Sequence, residues 1–237
     1  MNKLFLGVTV ISIVICVAIR WYWKHSFDVE RHVKAYAMVE NRIHEKRLVY
    51  EMDWNKNPSK HTVLQNMAKR YLYETLTDSI FDYWYGTTWD FNGVTQQPRK
   101  GKIACGYFVT TTLEDVGFIL PRVKMAQQAA SIIIRSLCPK ESIKAFNQIA
   151  HLKQHMDKQK EGLYILGLDT HVGFLWKSAN NLHFVHASYS GNKQVSKELW
   201  NESIVMQKSK LFVVGNLLDN PKLMQQWIRG IAIPVSK

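Results

Sequence analysis

The chain has 237 residues, which is enough for one domain, alone or with an appendage. Hydrophobic residues make up 46% of it and charged residues 21%, which excludes a disordered tail and a membrane protein of many spans. The net charge of +12 favours an anionic partner, and because the lysines and arginines form no nucleic-acid motif, no nucleic acid is expected.

The N-terminal segment is apolar. Residues 4–19 carry no charge and would form a helix of roughly 24 Å, followed by three aromatic residues that suit a membrane interface. We therefore predict a single membrane anchor over residues 1–24. The alternatives are a cleaved signal peptide, lipid attachment at Cys16 and a buried core helix. The catalytic domain is assigned to the extracytoplasmic (periplasmic) side, although the positive charges after the segment favour the cytoplasm.

Two amphipathic helices are predicted next. The first runs from residue 26 to about residue 50, and the second runs from residue 59 or 60 to Gly86 after a turn at residues 54–60. Residues 25–80 are thus predicted as a helical linking and packing region. The apolar positions are Val29, Val33, Tyr36, Val39 and Ile43 in the first helix, and Val63, Met67, Tyr71, Leu72 and Leu76 in the second.

The remaining residues, 81–237, are predicted to form one α+β domain, because helical patterns come first and short β-rich runs follow. A loop covers residues 86–101. The expected helices are residues 103–113 and residues 131–159, the latter broken near Cys138 and Pro139. The expected strands are residues 163–166, 172–176, 182–185 and 211–214, with a hairpin connection at residues 177–181.

Cys105 stands between the glycine-rich loop and an apolar helix, so we expect it in the first turn of that helix. There the unpaired backbone N–H groups and the helix dipole would stabilise a thiolate and hold an oxyanion. A buried structural cysteine is the alternative interpretation. The three cysteines of the chain match no zinc spacing, and neither a metal nor a cofactor is expected.

Two histidines are candidates for the base that a catalytic cysteine needs. His171 begins one predicted strand and His186 ends the next, so in a hairpin the two lie side by side. His186 would then orient His171, which gives a Cys-His-His arrangement. Two structural histidines with satisfied hydrogen bonds are the alternative.

The sequence resembles the NlpC-type cell-wall cysteine peptidases, which are papain-like thiol hydrolases. The resemblance lies in GTTWDFNGVTQQPRKGKIACGYFVTTTL at residues 86–113, in VGFILPRVKMAQQ at residues 116–128, and most specifically in HVGFLWKSANNLHFVHASYSG at residues 171–191. It implies that Cys105 is the nucleophile, His171 the general base and His186 the orienting group.

The chain departs from the family pattern beside the cysteine. Ala104 replaces an aspartate, Gly106 replaces a serine, and Trp89 stands where the family has a tyrosine in the loop. In the wall peptidases these positions help to hold a peptide amine, so Trp89 and Gly106 are the expected substrate-binding positions. The changes also put in question whether the chain cleaves the family's usual bond, between a γ-glutamyl group and a diamino acid. Residues 129–160 form an insertion relative to the family, and the sequence leaves open whether it caps the cleft.

These observations predict a membrane-anchored cysteine hydrolase that cleaves an amide bond, with cell-wall peptidoglycan peptides as the first choice of substrate. An amidase or acyltransferase that acts on another amide or on lipid is the second hypothesis. A non-catalytic binding module on the same scaffold is the third, and it predicts an unreactive Cys105.

Overall fold

The computed structural model describes the backbone of residues 2–179 and 181–236, and the side chains of residues 26–179 and 181–236. The helices are α1 (Asn2–Lys56), α2 (His61–Thr75), α3 (Phe81–Trp84), α4 (Cys105–Asp115), α5 (Arg122–Ala126), α6 (Ala130–Leu137), α7 (Ile149–Asp157), α8 (Ile204–Lys208) and α9 (Pro221–Arg229). The strands are β1 (Thr88–Trp89), β2 (Lys102–Ile103), β3 (Lys144–Phe146), β4 (Gly162–Gly167), β5 (Val172–Ser178), β6 (Asn181–Ala187), β7 (Val195–Leu199) and β8 (Phe212–Asn216).

The predicted anchor at residues 1–24 lies outside the residues whose side chains are described. Among the described residues, no helix is both long enough and apolar enough to cross a bilayer. From Ser26 onwards α1 is amphipathic as predicted, with Tyr36, Val39 and Ile43 buried on its inner side.

Six strands form one antiparallel sheet in the order β3-β8-β4-β5-β6-β7, and helices pack on both of its faces. The α+β class is therefore as predicted. Strands β4, β5 and β6 contain the first three predicted β-rich runs, and β8 covers the fourth from Phe212 onwards. Strands β5 and β6 form the expected hairpin, with Phe174 opposite Val185 and Ser178 opposite Asn181.

The alternation of side chains along the strands divides the core in two. In β4, Leu163 and Ile165 pack with helices α1, α2, α4, α6 and α9, whereas Tyr164 and Leu166 pack with α7 and α8. Helix α4 lies against β5 and β6 on the first face. The helices of residues 25–80 are thus part of the same core as the sheet.

Helix α4 is also fixed at its C-terminal end. The Tyr36 hydroxyl of α1 donates a hydrogen bond to the Asp115 carboxylate and accepts one of 2.8 Å from the Trp84 indole. Burial and two nearby glutamates raise the pKa of the Asp115 carboxyl well above its usual value. This buried contact holds the long first helix against the helix that begins at Cys105.

The second predicted helix is buried where expected at its C-terminal end but not at its start. Leu72 and Leu76 are fully buried as predicted, whereas Val63 and Met67 are 56% and 52% exposed, and Leu64 and Ala68 are buried instead. The prediction was wrong for Val63 and Met67 because it weighed the larger side chains and left out Ala68. The small side chain of Ala68 hides it from a hydrophobic pattern.

The region predicted as helix over residues 131–159 is interrupted for longer than expected. Helix α6 ends at Leu137, and α7 begins only at Ile149. Between them β3 pairs with β8, so Phe146 lies opposite Phe212. Pro139 has no N–H to continue a helix, and residues 144–146 instead complete the edge of the sheet.

Candidate active site

A cleft of about 840 Å³ opens beside the N-terminal end of α4. Cys105 and His171 both line it, so the two predicted catalytic residues face the same space. The residues that line the cleft belong to the loop before α4, the start of α4, the end of α5 and two loops of the sheet. One of these loops leads into β5, and the other connects β6 with β7. Six of the lining residues are Trp89, Phe91, Val94, Tyr107, Tyr189 and Lys193.

Cys105 is the first residue of α4, as the sequence predicts. Ala104 precedes it in an extended conformation, and its methyl group offers no cap to the helix. The backbone N–H groups of Cys105 and Gly106 are therefore free to hydrogen-bond to the sulfur, and the N–H of Val172 does so from the start of β5. Backbone N–H groups at the start of a helix are also suited to hold the oxyanion that forms when a thiol attacks a carbonyl.

The expected thiolate is not favoured at rest. Burial raises the pKa of the Cys105 thiol, and the N–H groups of Val172, Gly106 and Cys105 itself offset that rise only in part. The sequence suggested the opposite direction because it shows the start of a helix but not the depth at which the sulfur lies. Cys105 is thus expected to be a neutral thiol until a base takes its proton.

The two histidines meet as the hairpin prediction requires. His171 Nε2 and His186 Nδ1 are 2.7 Å apart, and the two rings are nearly perpendicular, at 87°. His171 is 3% exposed and His186 is fully buried. Burial lowers the pKa of His171 well below its usual value, an effect to which His186 adds and which Glu198 opposes. His171 is therefore neutral near pH 7 and able to accept a proton.

The pair continues to an acidic residue that the sequence analysis missed. Glu198 Oε2 lies 3.2 Å from His186 Nε2, at ion-pair distance. The orientation of the two groups does not make a hydrogen bond, and this buried nitrogen has no other hydrogen-bond partner among the described residues. The Ser196 hydroxyl donates to the other carboxylate oxygen over 2.9 Å.

The environment of Glu198 favours its charged form. Burial alone would raise its pKa, but interactions with His186, Ser203 and Ser196 overcome that effect and lower the pKa to about 2. The residue lies in β7, where His186 pairs with Ser196 and Glu198 follows two residues later on the same face. No strand was predicted at residues 195–199, so the sequence analysis had no means of placing Glu198 beside His186.

Trp89 lines the cleft as predicted, with its ring 6.1 Å from that of Tyr189. Tyr189 in turn lies edge-on to the His171 ring, at 5.3 Å between centroids. The aromatic side chains therefore form one wall that leads to the base. Lys193 is the only charged residue that lines the cleft among those described, apart from the titratable Cys105 and His171.

Gly106 also lines the cleft, but its main role differs from the one expected. A Cβ atom at this position would lie 2.2 Å from the Ala126 carbonyl oxygen. The backbone at the end of α5 thus fills the space where the wall peptidases have a serine side chain. Glycine is required here for the close approach of α5 to α4, which leaves no room for a side chain that would contact substrate.

The loop before α4 is tied down by Arg122. Its guanidinium donates to the Thr111 hydroxyl and to the Val94 carbonyl, each over 2.7 Å, and lies 5.0 Å from the centre of the Tyr107 ring. None of the described residues of the insertion at 129–160 lines the cleft, which answers the question that the sequence left open. Helix α6 instead packs on the sheet, where Gly167 leaves space for Ala130.

Among the described residues, no group of three or more His, Cys, Asp or Glu side chains is arranged to hold a metal ion. Cys138 is buried among apolar residues, which raises its thiol pKa, and it does not line the cleft. The chemistry that the site offers is therefore that of a thiol, a neutral imidazole and backbone N–H donors.

Comparison of the chain with protein-family profiles, with curated proteins and with solved structures gives no match in any of the three.

Proposed function

We propose that this protein is a cysteine hydrolase that cleaves an amide bond with Cys105 as nucleophile and His171 as general base. One observation carries the proposal: Cys105, at the start of a helix, and His171 line one cleft, and His186 and Glu198 lie in turn behind His171. A helix that presents a cysteine against a sheet that presents histidines at its strand ends also supports a papain-like fold, as the resemblance to the NlpC-type peptidases implies.

The neutral His171 takes the thiol proton as the sulfur attacks the carbonyl carbon. Backbone N–H groups at the start of α4 donate hydrogen bonds to the carbonyl oxygen as it becomes negatively charged. His171 then gives its proton to the leaving amine, and water, activated by the same imidazole, hydrolyses the thioester. Both groups are uncharged at rest, so the proton moves during attack rather than beforehand.

Cell-wall peptidoglycan peptide is the proposed substrate, on the strength of the resemblance. The predicted anchor at residues 1–24 would hold the enzyme at a membrane, with the cleft on the extracytoplasmic side. The net charge of +12 suits attraction to an anionic wall or lipid surface.

A second candidate is an amidase or acyltransferase that acts on another amide or on lipid. It is favoured by the cleft itself, because none of the described residues that line it is acidic and many are aromatic or aliphatic. A peptide amine would find no carboxylate there to pair with, whereas an acyl group would find apolar surface.

Turnover of defined peptidoglycan fragments by the full-length protein, followed by mass spectrometry, tests the first proposal. Cys105→Ala should abolish turnover, and Cys138→Ser, the matched control at a thiol remote from the cleft, should preserve it. Equal turnover by the Cys105→Ala protein would refute the assignment of the nucleophile.

The same variants incubated with phospholipid vesicles and with N-acyl amides separate the two candidates. If the protein transfers or hydrolyses acyl groups in those mixtures in a Cys105-dependent way but leaves wall fragments uncleaved, the amidase or acyltransferase is favoured. Binding of wall fragments with no turnover of any substrate would favour the non-catalytic module instead.

A further inference from the structure

The hydrogen-bonding chain behind His171 determines which of its nitrogens carries a proton. A neutral imidazole has one N–H and one lone pair, so each contact along the chain fixes the next. Glu198 begins the chain because an ionised carboxylate accepts hydrogen bonds and donates none. The carboxylate lies 3.2 Å from His186 Nε2, where it attracts an N–H group and repels a lone pair, so it favours the tautomer of His186 that is protonated at Nε2.

The consequence passes to the second ring. In the tautomer of an imidazole that carries its one proton on Nε2, the lone pair is on Nδ1, and Nδ1 of His186 lies 2.7 Å from His171 Nε2. His171 must then donate from Nε2, which leaves its Nδ1 unprotonated. Because Nε2 is directed at His186, Nδ1 is the nitrogen left to act as base in the cleft that Cys105 lines.

We propose that Glu198 is a positioning residue that sets the tautomers of both histidines and thereby leaves Nδ1 of His171 free to act as the base. This inference rests on the proposed function for its catalytic meaning, but the tautomers themselves are a property of the folded chain. The surroundings favour the ionised carboxylate, since hydrogen bonds from Ser196 and Ser203 help to outweigh the burial of its side chain, which is 26% exposed.

The reverse arrangement would be inactive. If His186 carried its proton on Nδ1, it would donate to His171 Nε2, and His171 would present an N–H to the cleft instead of a lone pair. A base of that form cannot take the thiol proton. In serine proteases, exchange of the carboxylate that orients the histidine for an amide lowers kcat by about 10⁴-fold for this reason.

The test is long-range ¹H–¹⁵N NMR of the full-length protein, labelled at histidine and held in detergent micelles at neutral pH. His171→Asn and His186→Asn proteins assign the two sets of ring signals. The wild-type protein should show His171 and His186 each protonated at Nε2 alone. A proton on His171 Nδ1, or on both nitrogens of His186, would overturn the proposal.

Glu198→Gln removes the charge that selects this tautomer, so the His171 ring signals should change towards the form protonated at Nδ1. Glu202→Gln is the matched control, because Glu202 is an exposed carboxylate four residues later. Ring signals that are the same in Glu198→Gln and wild type would refute the role of Glu198. If Glu198→Gln does not fold, Glu198→Asp, which withdraws the carboxylate by one methylene, should give the same change.

Steady-state kinetics give an independent test of the role of Glu198. Where the wild-type protein turns over a substrate, Glu198→Gln should lower kcat by about 10²–10⁴-fold with little change in KM, and unchanged kcat would contradict the proposal. If no substrate is found, the function is in question, but the NMR result still decides whether Glu198 sets the tautomers.

Discussion

Gly106 gives a direct test of how the cysteine-bearing helix is built. In Gly106→Ala the new Cβ would lie 2.2 Å from the Ala126 carbonyl oxygen and 3.1 Å from its carbon. A relaxed contact needs about 1 Å more, and the atom in the way belongs to the backbone at the end of α5, so a side-chain rotation cannot relieve it. The helix end itself must move away from α4.

The expected loss of stability follows from two opposed effects. Overpacking of this kind costs about 1–3 kcal/mol, and the higher end applies because the backbone is struck. Alanine is better than glycine in a helix by about 0.5–1 kcal/mol. We therefore expect Gly106→Ala to lower the free energy of unfolding by about 2 kcal/mol, and the melting temperature by about 4–8 °C for a chain of this size.

Thermal unfolding followed by tryptophan fluorescence measures this change. Ala104→Ser is the matched control, two residues earlier, because its backbone is extended and a serine there can cap α4. That substitution should stabilise the protein by about 1 kcal/mol. A Gly106→Ala protein that melts at or above the wild-type temperature would refute the close approach of α5 to α4.

Three further predictions concern the cleft and its supports. The rate of Cys105 alkylation by iodoacetamide should rise with pH through a pKa above that of a free cysteine. His171→Ala should barely change this pKa, since both groups are neutral at rest. An alkylation rate that has already reached its plateau at pH 7 would contradict the prediction. The pKa of Glu198 falls on folding from 4.5 to about 2, so it stabilises the fold above pH 4.5, by on the order of 2–3 kcal/mol, and this is lost as the pH falls towards 2; urea unfolding of wild type and Glu198→Gln should therefore differ at pH 7 and converge near pH 2. Arg122→Lys cannot make both bonds of 2.7 Å, so amide hydrogen exchange should increase around Val94 while the core stays protected; unchanged exchange there would show that the loop is held by other contacts.

The meeting of His171 and His186 was predictable because it depends on one local rule. Two consecutive strands joined by a short connection are antiparallel, so the start of one lies beside the end of the other. The position of Cys105 at the start of α4 was predictable for a similar reason, since a glycine-rich loop ended directly before an apolar run.

Glu198 was not predictable in the same way. Strand β7 is five residues long with three polar residues between Val195 and Leu199, so it carries a weak β signal. Its register with β6 places Glu198 on the face of His186, and only the folded sheet reveals that register. The contact between Gly106 and Ala126 is likewise long-range, because it joins two helices that the sequence separates by a turn.

The pKa of Cys105 is raised, whereas the sequence predicted a stabilised thiolate, because the sequence does not show how deeply the sulfur is buried. This difference affects how the site would work. A helix start favours a thiolate, but the packing of α4 against β5 buries the sulfur, and the cost of burying a charge is the larger effect. Burial acts on His171 in the same direction, towards the neutral form. Before the reaction begins, His171 therefore carries no positive charge that could balance the negative charge of Glu198. Glu198 gains that positive partner, through His186, only as His171 accepts the thiol proton, so its electrostatic effect stabilises the transition state more than the resting site.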